Sequence, residues 1–312
     1  MASDITARRV PWVALALSFL SAGVGHLYCG RIAKGLPLYF AWLLVPLGVT
    51  IAALLPPSPT SFVLLVLLPV VIVFIVYLYA AIDAWRLASQ IGSDYSLRDY
   101  NRAAIYWLLI CVQLVYAIGL IAGVRGWVYE AFRIPSSSMS PTILPGDRFL
   151  ARKLLARDHF PKRGNLIVYR NPSSTGATKF VGRVVAIAGD HLEIHDERVL
   201  INGKELERDR VPGESLKHLG DQVNGRVAYE MNSGHRYLVA YDGSTNGGRE
   251  RGDFDATIPE RHVFVLCDNR DRSKDSRDFG SIHQADIVGY VEYIYWPSES
   301  WSRFGVANDR LP

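Results

Sequence analysis

The sequence is poor in cysteine and has no concentrated charge of one sign. Its 312 residues include three cysteines, Cys29, Cys111 and Cys267. Two of these lie in or beside apolar segments and the third is alone in the polar half, which argues against a disulfide framework. The eight histidines are scattered, and no Cys/His cluster has zinc spacing, so we expect no metal and no other cofactor. The net charge of +4 forms no basic stripe, which argues against nucleic-acid binding.

Apolar residues are instead concentrated in the first part of the chain. Before about residue 127 come long apolar runs with few charges. After it come short β-branched runs separated by Gly, Pro, Asn and Asp. Long apolar runs are typical of membrane helices, and short β-branched runs are typical of strands. The sequence therefore predicts transmembrane α-helices followed by a strand-rich domain.

Four apolar stretches in the first part are each about long enough to cross a bilayer, at a helical rise of about 1.5 Å per residue. They predict a multi-span membrane module over residues 1–103 and a transmembrane anchor over residues 104–126. The first is the weakest, because it carries several Ser and Gly residues, and it either crosses or re-enters. The stretches are Pro11 to Tyr28, Leu36 to Leu55, Ser61 to Ile82, and Ala104 to Val124.

The positions of Lys and Arg predict the orientation of these helices. Arg31 and Lys34 precede the second stretch, and three arginines lie between the third and the fourth. The positive-inside rule places both basic loops in the cytoplasm, so we expect the strand-rich domain on the opposite side. Arg8 and Arg9 fit this orientation only if the first stretch re-enters, since four full crossings would leave them outside.

The segment Ser18 to Leu36, SFLSAGVGHLYCGRIAKGL, has a recognisable pattern of small residues. It resembles a two-helix membrane module with a Gly-x-Gly-His/Gln-x-Tyr-x-Gly signature that is fused to various bacterial proteins. That resemblance implies no defined chemistry. Because Gly and Ser in membrane helices usually permit close packing, we expect His26 to be a packing or interfacial residue and not a ligand.

A serine-rich turn begins the second part of the chain. The segment Phe132 to Leu150, FRIPSSSMSPTILPGDRFL, resembles the nucleophile box of type I signal peptidases. By that resemblance Ser138 is the nucleophile, and the Ser136 hydroxyl joins the Ser138 backbone N–H in an oxyanion hole. Loss of one such donor lowers the rate by about 100 to 1000-fold. The matching residues are Pro135, Met139, Pro141, Thr142, Pro145, Gly146 and Asp147.

Three further segments resemble this family in the same order. Residues 161–169, PKRGNLIVY, have Asn165 where the family usually has Asp. Residues 179–190, KFVGRVVAIAGD, resemble the segment that carries the catalytic lysine. Residues 265–280, VLCDNRDRSKDSRDFG, match the most specific box of the family, with Cys267 at its first Gly.

The last box implies two residues that support the general base. By resemblance, Ser273 and Asp275 lie behind the active site and orient the base, while Asp268, Asn269, Arg270 and Arg277 brace the loop. Between the boxes, residues 191–206 alternate apolar and polar positions around two turns, which predicts β-hairpins. Residues from about 207 to 260 resemble the β-rich insertion of larger family members.

The expected catalytic lysine is not at its usual position. A Ser–Lys protease needs a neutral amine beside the serine, which burial supplies by lowering the lysine pKa from about 10.4. In the family pattern this lysine directly precedes an Arg, but here Gly182 precedes Arg183. Lys179 is the nearest candidate. Its odd offset places it on the opposite strand face from position 182, roughly 10 Å away, unless a bulge at Gly182 restores the facing.

Three interpretations follow for the base. Lys179 replaces the usual lysine, another residue is the base, or the chain is a weak homologue that binds signal peptides without cutting them. The intact nucleophile and Ser-Asp boxes favour an enzyme.

The resemblance as a whole implies a mainly antiparallel β catalytic domain, over residues 127–312, outside the bacterial cytoplasmic (inner) membrane. It implies a serine endopeptidase that removes signal peptides after small residues. The implied partners are preprotein signal peptides and the lipid bilayer. A Ser–Lys peptidase with one dedicated substrate is an alternative within the same chemistry.

Overall fold

The computed structural model describes residues 8–54, 68–92, 95–153, 160–171, 178–195, 197–211, 225–241, 253–271 and 273–307. The chain forms two compact units, Met1–Gly126 and Trp127–Pro312. The first contains apolar helices and the second is built from antiparallel strands. The predicted fold class is therefore confirmed.

Apolar helices make up the described part of the first unit. Two of them are long and apolar enough to cross a bilayer: Val70–Gln90, with mean hydropathy 1.9, and Ala103–Val128, with mean hydropathy 2.3. The apolar helix Pro11–Leu20 is shorter. Residues 61–67 of the third predicted stretch lie outside the described residues. The helices are α1 (Pro11–Leu20), α2 (Val24–Tyr28), α3 (Ile32–Leu54), α4 (Leu68–Gln90) and α5 (Ala103–Gly123).

The first predicted stretch folds back on itself. Helix α1 ends before Gly23, which has φ +91° and whose added Cβ would lie 2.1 Å from the Gly35 carbonyl oxygen. Helix α2 then brings Tyr28 back to the start of the stretch, where its hydroxyl accepts the Val10 N–H at 3.0 Å. The Arg9 guanidinium lies 4.4 Å from the centre of the Tyr28 ring. Both ends of the stretch are thus close together.

His26 is fully buried, as its predicted packing role requires. Its Nε2 lies 3.0 Å from Asp83 Oδ2, and Lys34 Nζ donates to the same oxygen at 3.2 Å. This contact joins α2 to α4 by a polar bond between apolar helices. The sequence pattern did not predict the partner, because Asp83 lies far along the chain.

The second unit is built around one large antiparallel sheet. Its strand order is β1-β2-β14-β3-β4-β12-β13, and β15 pairs with β14. Short β-branched and aromatic runs form these strands because such side chains pack well on a pleated surface. The strands of this sheet are β1 (Tyr129–Arg133), β2 (Arg148–Arg152), β3 (Leu166–Arg170), β4 (Lys179–Ile187), β12 (His262–Leu266), β13 (Ile282–His283), β14 (Ile287–Trp296) and β15 (Gly305–Val306), with helix α6 (Ser276–Phe279) after β12.

Two smaller sheets complete the second unit. The predicted hairpins are confirmed: β5 pairs with β6 and β6 with β7, with Asn202 and Gly203 in the second turn at φ +54° and +76°. Strands β8, β9 and β10 form a separate three-stranded sheet inside the predicted insertion, whereas β11 pairs with β5. Residues 212–224 and 242–252 of that insertion lie outside the described part. The strands are β5 (His191–His195), β6 (Arg198–Ile201), β7 (Lys204–Glu205), β8 (Glu207–Arg210), β9 (Arg226–Asn232), β10 (His235–Tyr241) and β11 (Phe254–Thr257).

Candidate active site

The serine-rich turn connects β1 to β2 and is anchored at both ends. Ile134 N–H donates to the Asp147 carbonyl at 3.1 Å, and Gly146 N–H donates to the Ile134 carbonyl at 2.8 Å. The buried Asp147 carboxylate accepts the Leu144 N–H at 2.8 Å and also binds Arg303. Met139 is fully buried in the core beneath the turn. The chain on either side of Ser138 is therefore held in place.

Ser138 is at the centre of a group of three serines. Its Oγ lies 3.1 Å from Ser136 Oγ. Its carbonyl oxygen accepts the Asn269 N–H at 3.1 Å and lies 3.1 Å from Ser273 Oγ, which is also 2.7 Å from the Asn269 carbonyl. The Asn269 side chain donates to the Ser137 carbonyl at 3.1 Å. The box at 265–280 thus holds the backbone of the serine turn, and the Ser138 hydroxyl faces Ser136.

A cleft of about 330 Å³ contains Ser138. Apolar side chains form one part of its lining, and hydroxyl and ammonium groups form the other. Such a site accepts an apolar group beside a polar reaction centre. Its apolar lining includes Phe132, Ile134, Phe149, Val168 and Val181, and its polar lining includes Ser136, Ser138, Lys179, Ser273 and Lys274.

Lys179 lines this cleft without any bulge at Gly182. Strands β3 and β4 pair in continuous register from Lys179 through Gly182. Lys179 and Val181 therefore share one face of the strand by ordinary alternation, and both line the cleft. The prediction that Lys179 and position 182 face opposite sides holds. The suggested bulge at Gly182 is wrong, because the shift in register occurs farther along β4, opposite Phe264 and Val265.

A side chain at Gly182 would fit tightly, and its neighbours would have to move by a few tenths of an ångström. A Cβ there would lie 3.2 Å from Val265 Cβ and 3.3 Å from Tyr169 Cε1. Tyr169 is fully buried and stacks against Phe180. The face of β4 that holds position 182 is thus packed against aromatic and aliphatic side chains.

Glu130 binds the Lys179 side chain. Lys179 Nζ lies 2.6 Å from Glu130 Oε1, and Lys153 Nζ lies 2.9 Å from Glu130 Oε2. Burial raises the pKa of the Glu130 carboxyl, but hydrogen bonds from Lys179 and Lys153 outweigh burial and hold that pKa below its ordinary value. Lys179 Nζ is also 5.1 Å from the centre of the Phe132 ring, within reach of a cation–π contact. Sequence reasoning missed Glu130.

Asp275 braces its own loop. Its carboxylate accepts the Cys267 N–H at 3.1 Å and the Arg277 Nε–H at 2.8 Å. It also caps α6 in a reciprocal capping box with Asp278. Cys267 is buried, and this burial raises the pKa of its thiol well above the ordinary value, so the thiol is neutral. The structure places Asp275 in the support of the loop, and its bonds are not to Lys179.

A buried ion pair links β4 to the same loop. The Arg183 guanidinium binds both oxygens of Asp268 at 2.7 Å, and Thr142 Oγ1 donates to Asp268 at 2.5 Å. Both charged side chains are almost fully buried. Bidentate pairs of this kind have a well-defined geometry, so the pair fixes β4 against the serine turn. Within the described ranges, no group of His, Cys, Asp or Glu side chains is arranged to hold a metal ion.

The sequence of this chain is similar to sequences of known signal peptidases. Residues 106–296 match the model of the family described as signal peptidase, peptidase S26. A probable signal peptidase I-2 of Synechocystis is 28% identical over 196 residues, which cover 61% of this chain and 74% of that protein. A signal peptidase I of Aquifex aeolicus is 29% identical over 212 residues, covering 59% of this chain and 82% of that protein.

Two further similarities are to proteins of Staphylococcus aureus and Enterococcus faecalis. A signal peptidase IB of Staphylococcus aureus is 28% identical over 212 residues, covering 67% of this chain and 99% of that protein. A crystal structure of a signal peptidase I from Enterococcus faecalis is 23% identical, with a TM-score of 0.27, and the match covers 42% of this chain and 97% of that one.

Proposed function

Because the chain belongs to the signal peptidase family, peptidase S26, we propose that it is a membrane-bound serine endopeptidase. It removes N-terminal signal peptides from exported preproteins by cutting after small residues. The observation that carries this proposal is the position of Ser138. Its hydroxyl faces a second hydroxyl at 3.1 Å inside a cleft that is partly apolar and holds a lysine.

The reaction uses Ser138 as nucleophile and Lys179 as general base. Neutral Lys179 removes the hydroxyl proton as Ser138 Oγ attacks the scissile carbonyl carbon. Negative charge then develops on the carbonyl oxygen, where the Ser136 hydroxyl and the Ser138 N–H donate hydrogen bonds. Lys179 passes the proton to the leaving amide nitrogen, and water later hydrolyses the acyl-enzyme. Ser273 supports this step by holding the Ser138 carbonyl.

Lys179 must leave Glu130 before it acts. An ammonium ion that is paired with a carboxylate has no free lone pair, so the Lys179–Glu130 contact is a resting arrangement. The assignment of Lys179 as the general base is supported by its position in the cleft, on the same face of β4 as Val181. Asp275 contributes indirectly, by fixing the loop that carries Ser273.

We expect Glu130→Gln to shift the pH dependence of cleavage. The pKa of Glu130 lies below its ordinary value, so the carboxylate is charged at neutral pH and stabilises the Lys179 ammonium. Without that negative charge 2.6 Å from Lys179 Nζ, the acid limb of kcat/KM is expected to move to lower pH. The measurement is the pH profile of wild type and variant, with Glu207→Gln, in an exposed pair with Lys204, as the control. An unchanged profile would contradict a role for Glu130 in the charge of the base.

The proposed location is the bacterial cytoplasmic (inner) membrane, as a multi-pass protein, and the apolar helices support it. The Arg9 guanidinium lies 4.7 Å from the Tyr95 ring centre, and Asn101 Nδ2 donates to the Leu27 carbonyl at 2.8 Å. Arg9 and the basic loop before α5 are thus at one end of the first unit. If the first stretch re-enters there, both lie in the cytoplasm, and three crossings leave the catalytic domain outside.

The function is tested with a purified preprotein that carries an Ala-x-Ala site. We expect the full-length protein in detergent to cut one bond after the second Ala. Phe in place of that Ala should lower kcat/KM by at least about 100-fold, since the substrate side chain must fit beside Ser138. The products are identified by mass spectrometry. Folded protein that binds the substrate without cutting it would support the weak homologue, and cutting of one preprotein alone would support a dedicated peptidase.

A further inference from the structure

A fully buried carboxylate lies in the inserted sheet, away from the cleft. Glu230 on β9 accepts hydrogen bonds from Arg270 Nη2 at 2.6 Å, Tyr237 Oη at 2.9 Å and Arg208 Nε at 3.0 Å. Burial raises its pKa, but the charges of Arg270 and Arg208 outweigh burial and hold that pKa below its ordinary value. Glu230 is therefore ionised, and its main partner belongs to the box at 265–280.

The backbone of the inserted sheet is bonded to the same loop. Ala240 N–H on β10 donates to the Asp268 carbonyl at 2.8 Å, and Arg270 N–H donates to the Ala240 carbonyl at 2.8 Å. Asn269 lies between these two bonds, in a parallel bridge with Ala240. The N–H of Asn269 is the group that donates to the Ser138 carbonyl. A continuous chain of bonds thus runs from the inserted sheet to the nucleophile.

A second contact links the inserted sheet to β4. The Tyr237 ring centre lies 4.1 Å from the Arg183 guanidinium carbon, and Arg183 is the partner of Asp268. Because the Tyr237 hydroxyl is bonded to Glu230, one carboxylate organises both contacts.

We propose that Glu230 is a positioning residue for Ser138, which acts through Arg270 and Asn269. This inference rests on the proposed function only in taking Ser138 as the nucleophile. The Arg270 side chain is almost fully buried, so it requires a counter-ion in place. Loss of the Glu230 charge makes the loop at 268–270 shift to solvate Arg270. The Ser138 backbone moves with that loop, and the alignment of Ser136 and Ser138 is lost.

The test compares Glu230→Gln with Arg208→Gln in the full-length enzyme. Arg208 binds the other oxygen of Glu230 and has no bond to the loop at 268–270 among the described contacts. We expect Glu230→Gln to lower kcat by roughly 100-fold, as a displacement of about 1 Å does, with little change in KM. Arg208→Gln should keep a near-normal kcat. Glu230→Asp restores the charge and should recover part of the kcat.

Thermal unfolding of each variant separates positioning from stability, and all assays are made well below the lowest Tm. A folded Glu230→Gln enzyme with wild-type kcat would overturn the proposal, as would a Glu230→Asp variant no better than Glu230→Gln. If Glu230→Gln does not fold, Glu230→Met with Arg270→Met removes both buried charges together. Because that pair leaves no unpaired buried charge, it should fold with a kcat near that of wild type, and a kcat lowered by roughly 100-fold would overturn the proposal. Failure of Ser138→Ala to stop cleavage in the same assay would instead reject the proposed function.

Discussion

Ser138→Ala is expected to abolish cleavage of the Ala-x-Ala preprotein and to leave the fold unchanged. The Ser138 hydroxyl bonds to Ser136 Oγ, whereas the turn is held through the Ser138 carbonyl, which alanine retains. Removal of a serine nucleophile lowers kcat by about 10⁶-fold in a well-studied protease. We expect a loss large enough that no product is seen, with Tm close to wild type.

Ser137→Ala is the matched control for this experiment. Ser137 stands next to the nucleophile, and its carbonyl accepts the Asn269 side chain at 3.1 Å, a bond that alanine keeps. We expect this variant to cut at a rate near that of wild type. Residual cutting by Ser138→Ala, or loss of cutting in Ser137→Ala, would contradict the assignment of the nucleophile.

Local patterns predicted the parts of the site that lie close together in sequence. The turn between β1 and β2 carries both Ser136 and Ser138, so their contact follows from a two-residue spacing. The hairpins at residues 191–206 follow in the same way from period-two alternation and an Asn-Gly turn. These features depend on neighbouring residues, which a sequence displays directly.

The sequence did not predict contacts between residues that are far apart along the chain. Glu130 on β1 meets Lys179 on β4, although β2, β14 and β3 separate these strands in the sheet. Alternation shows that Glu130 shares a face with Phe132, but it does not show that a lysine 49 residues later crosses that face. The bond between Glu230 and Arg270 also joins residues that are far apart in sequence, 40 positions from each other, so the sequence did not predict it.

The sequence alone did not show on which face of the sheet the Lys179 side chain lies. Counting along β4 correctly separates position 179 from position 182, but it cannot say which face bears Ser138. In the structure, Tyr169 and Val265 pack against Gly182 on one face, whereas Lys179 and Val181 line the cleft from the other face. The fold of the first stretch is a second example, because its two ends meet through the bond between the Val10 N–H and the Tyr28 hydroxyl.

Lys179→Ala is expected to lower kcat by about 10² to 10⁴-fold, the range that general-base catalysis contributes. Lys179 lines the cleft that contains Ser138, whereas a side chain at position 182 would point toward Val265 and Tyr169 on the other face of β4. Gly182→Lys combined with Lys179→Ala should therefore not restore cutting. The measurement is single-turnover cleavage with saturating enzyme, so that the chemical step is observed.

Lys153→Ala is the control, because Lys153 binds the other oxygen of Glu130 and does not line the cleft. It should keep the rate of the chemical step, whereas Lys179→Ala should lose it. Lys274→Ala examines the other ammonium group of the cleft. If Lys274→Ala loses the chemical step and Lys179→Ala keeps it, the base is Lys274 and the assignment of Lys179 is wrong. If only Lys179→Ala loses the chemical step, Lys179 is the general base. It then replaces the lysine that directly precedes the arginine in the family pattern, where this chain has Gly182.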